Sequence, residues 1–198
     1  MKPISRDEIA KARQVFATHE PRDLFYRVAT ELVELAIAGK VSLSLAEAIA
    51  VLLQTWNHTF YRFRQFDNQH FMDLERRIEK HYASLIAFRE RRIETLTDTD
   101  ATAVLTLFHD FETLLGPVGA SKCLHLLAPY FFPLWDQSIA KAYGVPLGRT
   151  GTNAKRYWDF MWRVREQVSA LGSSLGDDAN PLKAIDEYNY CKYTKKWM

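Results

Sequence analysis

The chain has little cysteine and no arrangement of residues that is typical of a metal centre. Its two cysteines, Cys123 and Cys191, form no CxxC motif. Two thiols cannot build a four-thiolate iron–sulfur site within one chain, so we expect free buried thiols in a reducing compartment. His58, His109 and His125 are scattered and lack the spacing of zinc ligands. We therefore expect no metal and no cofactor.

Long apolar runs and strong charge of one sign are also missing. No run approaches the roughly 18 apolar residues that a membrane-spanning helix needs. The first residues, MKPISRDEIAKARQ, are charged and lack the apolar core of a secretion signal. These features predict a cytoplasmic protein without a membrane partner, nucleoid-associated if the source is bacterial. The net charge of +2 neither demands nor excludes a nucleic-acid partner. From residue 141 onward ten Lys and Arg face six Asp and Glu, which fits either contact with a polyanion or chance.

What the sequence does contain is helical periodicity and a large apolar content. Hydrophobic residues make up 47% and aromatic residues 13% of the 198 positions, enough for a sizeable core. No alternating apolar–polar run is long enough for a sheet. The fold expected is all-α: one domain over residues 1–198, built as a compact helical bundle of two small lobes with a cleft between them. Predicted helices begin at Ser5 and at Ser42 or Ser44 and cover residues 22–38, 46–63, 68–94, 103–115 and 157–171, with loops over 144–154 and 172–181. Residues 181–197 are predicted to form a last helix or an ordered tail.

The segment LLGPVGASK predicts a tight turn between two helices. Gly116 and Gly119 lack a Cβ, which lets backbone amides approach a ligand closely. Amides at the start of the following helix are then free to bind an anion such as a DNA phosphate. A plain helix–helix turn explains the same spacing.

Asp136 follows this turn by 17 residues, in the run FFPLWDQSIAKAYG. Pro133 forces the residue before it out of the helical region, so a helix must have ended there. Asp136 then stands at the N-cap position of the next helix. A structural cap is one interpretation. The other is a partly desolvated carboxylate beside Trp135 and Phe132, suited to stabilising positive charge or activating water.

The run over residues 115–143 resembles the core of the helix-hairpin-helix DNA glycosylase superfamily, so the motif would occupy about residues 100–145. That core has a hairpin of the form L-P-G-V-G, one helix, and then an apolar-Pro-x-x-Asp segment opening another helix. FPLWDQSIAKAYG looks most like the adenine glycosylase branch, and on this match Asp136 takes the place of the catalytic aspartate. A weaker similarity covers VLLQT, residues 51–55, where the family inserts a glutamine opposite the flipped base.

Three departures from the family pattern bear on the chemistry. The hairpin reads G-P-V-G, one residue longer than G-V-G, and the helix before Asp136 is a few residues shorter. Bifunctional members carry a Schiff-base lysine two residues after the second hairpin glycine, where this chain has Ser121, with Lys122 one position later. One helical residue is about 100° of rotation, which would turn the amine away from the pocket unless the longer hairpin resets the register. We therefore favour monofunctional chemistry and leave abasic-site lyase activity open.

The resemblance implies a monomeric DNA glycosylase that flips a modified or mispaired base out of double-stranded DNA and hydrolyses its N-glycosidic bond. Asp136 would be catalytic and Lys122 a second candidate. The implied DNA contacts are Gln54, Asn57, Gly116, Gly119, Ser121, Arg149, Lys155 and Arg156. The implied base pocket consists of Trp56, Tyr61, His125 and Trp135, although aromatic residues in such patterns more often belong to the core, and His125 equally fits a hydrogen-bonded core histidine.

Two other hypotheses remain open. The chain is a non-catalytic DNA- or partner-binding protein that keeps the hairpin fold, or an unrelated helical interaction protein. The altered hairpin and the shortened helix favour the non-catalytic protein over the glycosylase, whereas Asp136 in the expected place favours the glycosylase. The sequence does not identify the excised base, and a role against phage with modified DNA fits equally with repair.

Overall fold

The computed structural model describes residues 2–172 and 180–198, and of Thr59 only the backbone. Throughout this part the secondary structure is helical and contains no strand, which confirms the predicted all-α class. Most of the predicted loop over residues 172–181 lies outside the described residues. The helices are α1 (Arg6–His19), α2 (Asp23–Ile37), α3 (Leu45–Trp56), α4 (His58–Tyr61), α5 (Asn68–Arg89), α6 (Ala101–Leu127), α7 (Gln137–Ala142), α8 (Ala154–Leu171) and α9 (Pro181–Asn189), followed by a π-helical turn (Tyr190–Thr194).

Local capping signals place the helix starts. Ser5 and Ser44 each form a capping box with the glutamate three residues later, Glu8 and Glu47. Each box satisfies two backbone amides that have no partner inside the helix. Ser44 rather than Ser42 therefore begins α3.

The single helix predicted over residues 46–63 is interrupted at Asn57. Its φ of −106° and ψ of 25° end α3, and four-residue α4 follows at once. The Asn57 side chain is buried and its Nδ2 donates to the carbonyl of Leu115 at 3.3 Å. The interruption therefore ties the end of α3 to the middle of α6.

A sharp break divides α6 at Gly116, which has φ 69° and ψ 168°. Residues other than glycine rarely adopt this backbone conformation, because their Cβ atom would clash with the backbone. A Cβ at Gly116 would also lie 3.1 Å from the Phe60 ring. Pro117, which has no amide hydrogen, then starts the second half of the helix. The predicted turn is thus confined to one residue, and the two halves of α6 are joined without a loop.

The buried apolar residues form one cluster that reaches from α1 to α9. Helix α9 packs against α1, α2 against α3, and α6 against both α5 and α8. The segment before α7 contributes Trp135, whose ring packs against Phe108, Tyr157 and Phe160. The π-helical turn that follows α9 contacts α7, so the C-terminal end of the described chain reaches the segment around Asp136. None of the described helices is long and apolar enough to cross a bilayer.

Candidate active site

A cavity lies where α1, α3, α6, α7 and α9 meet, with about 530 Å³ of empty space when the open solvent at its mouth is included. Charged side chains, which are suited to chemistry, and aromatic side chains, which are suited to recognition, line this cavity. The charged ones include Lys122, Asp136 and Asp186, and the aromatic ones include Phe16, Trp56 and Trp135. We call this space the central cavity. It brings together the two catalytic candidates predicted from the sequence, Asp136 and Lys122.

Asp136 is both a helix cap and a wall of the central cavity. Its Oδ1 accepts a hydrogen bond from the amide of Ile139 at 2.8 Å, so it caps α7 as predicted. Its Oδ2 accepts from the Thr194 hydroxyl at 2.6 Å. The residue is only partly buried. The structural and functional interpretations are therefore compatible, because the cap uses one carboxylate oxygen and the second is held in place by the C-terminal segment.

Lys122 points into the central cavity, contrary to the rotation expected from its position in the sequence. The helix restarts at Pro117 after the break at Gly116, so the family spacing from the second glycine does not set the register here. Its Nζ donates to the carbonyl of Trp56, the last residue of α3. Burial lowers the pKa of Lys122 to about 8, although Asp186 and Asp136 favour its charged form. A considerable neutral fraction of the amine is therefore present near neutral pH.

Asp186 on α9 is the third charged group of the cavity and was not predicted from the sequence. It is buried, and this raises its pKa to about 7, with Lys183 opposing the shift and Asp136 adding to it. The available signal was its place in the apolar stripe of α9, beside Leu182 and Ile185. A carboxylate on the buried face of a helix is rare unless it is paired or functional.

Lys183 lies close to the cavity among aromatic rings. Its Nζ is 4.2 Å from the ring centre of Phe16 and 4.8 Å from that of Tyr26. It forms ion pairs with Asp23 at 3.0 Å and Glu187 at 3.3 Å. Burial alone would lower the pKa of Lys183, but the surrounding carboxylates raise it. Lys183 thus stays charged and contributes a fixed positive charge near Asp186.

A hydrogen-bonded network forms the rim of the cavity. Arg22 donates through Nε and Nη2 to the two oxygens of Glu20, both at 2.8 Å. The Tyr190 hydroxyl donates to Glu20 at 2.7 Å. The hydrogen bond from Arg22 is the main reason why the pKa of Glu20 falls to about 2. The Trp56 indole donates to the carbonyl of Arg22 at 2.8 Å, which orients one aromatic wall. None of these rim contacts was predicted, and those of Tyr190 and Trp56 join segments far apart in the chain.

The central cavity adjoins a larger groove of about 1320 Å³, which we call the flanking groove. Both are bordered by Arg22, Trp56, Lys122, Asp136 and Tyr190. The flanking groove also exposes residues 116–119 at the break of α6, together with Asn57, Phe63 and Lys195. Phe63 is 86% exposed, which is unusual for so large an apolar side chain.

The predicted base-pocket residues divide into two groups. Trp56 and Trp135 line the central cavity. His125 does not, because it is fully buried in the core, where it contacts the Tyr26 hydroxyl at 2.9 Å and the Phe132 carbonyl at 2.8 Å. Burial lowers the pKa of His125 to about 4. It is a neutral core histidine, so its assignment to the pocket was wrong.

Tyr61, the fourth predicted pocket residue, packs between Phe60 and Phe66. Its hydroxyl contacts Nε2 of His70 at 3.1 Å. Tyr61 borders neither the central cavity nor the flanking groove. The tyrosine therefore joins α4 to α5, and this assignment also requires correction.

The predicted DNA contacts also divide. Asn57, Gly116 and Gly119 border the flanking groove. Ser121 is fully buried, and its hydroxyl donates to the carbonyl of Val118 at 2.9 Å, so it cannot reach a phosphate as expected.

The remaining predicted contacts lie outside both spaces. Gln54 is exposed on α3, and Arg149, Lys155 and Arg156 belong to the loop before α8 and to its first turn. None of the four borders the central cavity or the flanking groove. Lys155 pairs instead with Asp159 one helical turn away.

No group of three or more side chains able to hold a metal ion occurs in the part of the chain that the structure describes. The residues that meet in the central cavity offer an amine, a fixed carboxylate and a protonatable carboxylate. This combination suits nucleophilic and acid–base chemistry at a carbon that develops positive charge. No family model, curated protein or solved structure matches the chain.

Proposed function

We propose that the chain is a DNA glycosylase that removes a modified or mispaired base and uses Lys122 as a covalent nucleophile, in place of the monofunctional chemistry favoured from the sequence. One observation carries the proposal: the amine of Lys122 and the carboxylate of Asp136 line the same cavity, beside a groove that exposes the break of α6. The resemblance of residues 115–143 to the helix-hairpin-helix superfamily supports the same assignment. It would make the two halves of α6 the helix-hairpin-helix motif and the central cavity the base pocket.

The lining of the cavity suits an extruded nucleotide in its chemistry. Trp56 provides a flat wall for stacking, because its ring is held parallel to that of Tyr26 at 5.6 Å. Bases that leave the duplex are commonly held between such aromatic surfaces.

Asp136 and Lys122 would divide the chemistry at C1′ of the sugar. Breaking the glycosidic bond builds positive charge on the sugar, which the carboxylate of Asp136 would stabilise. The neutral amine of Lys122 would then form a bond to C1′, giving an adduct that proceeds to a Schiff base. The lowered pKa of Lys122 supplies the neutral amine at neutral pH.

The flanking groove would accept the DNA backbone. Residues 118 and 119 begin the second half of α6, where amides have no partner inside the helix and the helix dipole favours an anion. Arg22 and Lys195 border the same groove and add positive charge. The exposed ring of Phe63 stands beside them, where it would contact bases or sugars of the duplex.

A panel of duplexes that each carry one modified base tests the proposal. We expect wild type to release at least one base and to cut the strand without added alkali. With borohydride it should form a covalent adduct with DNA. Lys122→Gln should lose the adduct and the alkali-independent cut. Asp136→Asn should lower excision by about 100-fold or more, because stabilisation of developing charge is typically worth that much.

Two features of the variants make the result interpretable. Asparagine is as good an N-cap as aspartate, so Asp136→Asn should keep α7 and the fold. Lys155→Gln removes an exposed lysine outside both spaces and is the matched control for Lys122→Gln. DNA binding without base release or adduct by wild type, across the whole panel, would support the non-catalytic alternative and reject the enzyme.

A further inference from the structure

Asp186 has no part in the chemistry proposed so far, yet it lines the same cavity as Lys122. Its side chain is 8% exposed. It reaches the cavity from α9, a helix that the family resemblance does not cover. A buried carboxylate is costly unless it is paired or hydrogen-bonded, so its presence calls for an explanation.

The surrounding contacts do not account for this carboxylate as a structural element. The ion pairs of nearby Lys183 go to Asp23 and Glu187. Among the described residues no side chain or backbone amide donates a hydrogen bond to the Asp186 carboxylate. A buried polar group with unused acceptor capacity is rare in folded proteins. Facing a cavity, that capacity is available to a water molecule or to a reacting group.

Resting on the proposed function, we propose that Asp186 is the acid–base group that moves protons to and from Nζ of Lys122 during covalent chemistry at C1′. The two side chains line one cavity, and no ion pair locks them together. A proton can therefore pass between them through the substrate or through one water molecule.

The steps balance for the aldehyde form of an abasic site. The lone pair of neutral Nζ forms a bond to C1′, and the carbonyl electron pair moves to the oxygen. Ionised Asp186 removes one proton from Nζ and delivers it to that oxygen, which gives a carbinolamine. Asp186 then takes a proton from solvent and gives it to the hydroxyl group. The hydroxyl leaves as water with its bonding pair, and the nitrogen lone pair forms the C1′=Nζ bond of the iminium.

When the substrate is an intact nucleotide, the proton that Nζ loses goes to the departing base instead of the carbonyl oxygen. The base departs from C1′ with the electron pair of the glycosidic bond and needs a proton. Nζ gains a bond to C1′ and must therefore lose a proton. Asp186 would carry the proton from the amine to the departing base.

The charges around the pair support an exchange of protons near neutral pH. Lys183 and Glu187 on α9, Asp136 before α7 and Lys122 on α6 act on Asp186. Lys122 is influenced by the two aspartates and by Arg22. Each of the two groups acts on the charge of the other, and their pKa values of about 7 for Asp186 and about 8 for Lys122 place both titrations near neutral pH.

Asp186→Asn, assayed on a duplex with a single abasic site, tests the inference without knowledge of the excised base. Adduct formation is followed with sodium cyanoborohydride from pH 6 to pH 9. We expect the maximal rate of Asp186→Asn to fall by about 100-fold, at high pH as well as low, since positioned acid–base groups contribute about that much. Asp186→Glu should recover part of the rate because it restores a carboxyl group. Glu187→Gln removes the neighbouring carboxylate, which does not line the cavity, and should keep the wild-type rate.

The alternatives give different results. If Asp186 acted only through its charge, its removal would lower the pKa of Lys122. The midpoint of the pH profile would then move down while the maximal rate stayed unchanged, which would overturn the inference. If wild type formed no adduct at any pH, the covalent function itself would fail. Equal rates for wild type and Asp186→Asn would leave that function intact and reject only the role of Asp186.

Discussion

At the scale of single residues, Asp186 should lower the free energy of unfolding near neutral pH, where it would exchange protons with Lys122. Its pKa rises from 3.8 to about 7 on folding, so the folded state binds more protons than the unfolded state between these values. The free energy of unfolding therefore falls as the pH rises from about 4 to 7. Asp186→Asn removes this dependence and should be more stable than wild type at pH 7.5, by about 4 kcal/mol, but not at pH 4.

Urea denaturation of both proteins at the two pH values measures this difference. Glu187→Gln is the control, because Glu187 is engaged in ion pairs with Lys183 and Arg13 and its removal should not stabilise the fold. The same stability difference between wild type and Asp186→Asn at pH 4 and pH 7.5 would contradict the raised pKa.

Thr194 should act on catalysis through Asp136. Its hydroxyl donates to Oδ2 of Asp136 at 2.6 Å, whereas Oδ1 is fixed by the cap of α7. Thr194→Val keeps the shape but removes the hydrogen bond, so the carboxylate should lose its orientation toward C1′. We expect base excision to fall by about tenfold, because misplacement of a catalytic group is costly even over a fraction of an ångström.

The conservative variant Thr194→Ser distinguishes orientation from packing. Serine restores the hydroxyl without the methyl group and should return most of the excision rate. Single-turnover rates on a duplex that wild type cuts supply the measurement. If Thr194→Val kept the wild-type rate while Thr194→Ser lost it, the methyl contact rather than the hydrogen bond would be responsible.

At the scale of helices, the break of α6 should depend on glycine for two separate reasons. Gly116 has a φ of 69°. In addition, a Cβ atom added at Gly116 would lie 3.1 Å from the Phe60 ring. Gly39 has a similar φ of 64° but open space around it. Gly39→Ala should therefore cost only the backbone term, about 1 kcal/mol. Gly116→Ala should cost about 1–3 kcal/mol for the backbone plus the contact with the ring, and should weaken DNA binding.

Thermal unfolding and binding to a duplex with an abasic-site analogue separate the two effects. Gly39→Ala should bind DNA as wild type does, since Gly39 lies away from the flanking groove. A Gly116→Ala variant that was no less stable than Gly39→Ala would show that α6 tolerates a regular course at this point. Unchanged DNA affinity would remove the break from the binding surface.

The helices were far easier to predict from the sequence than the site. Capping boxes at Ser5 and Ser44 and the cap at Asp136 depend on residues three apart, so local patterns indicate them. The direction in which the Lys122 side chain points depends on the backbone conformation of Gly116. The spacing of apolar residues in the sequence does not predict that conformation. Asp186 reaches the cavity only because α9 packs on α1, a contact between the two ends of the chain.

At the scale of the whole molecule, the predicted DNA contacts at Gly116 and Gly119 border the flanking groove, whereas those at the start of α8 do not. Lys155 and Arg156 were expected to contact phosphates, but Lys195 and Arg22 are the cations that border the groove with Lys122. Each phosphate contact releases counterions, so removing one lysine that makes such a contact reduces the salt dependence of binding by about one unit of slope. We expect a reduced slope for Lys195→Gln and no change for Lys155→Gln.

The slope is measured by titrating the protein into a duplex with an uncleavable abasic-site analogue at several salt concentrations. A reduced slope for Lys155→Gln together with an unchanged slope for Lys195→Gln would place the duplex along α8. The central cavity would then lie away from the bound strand, and a flipped nucleotide could not reach Lys122.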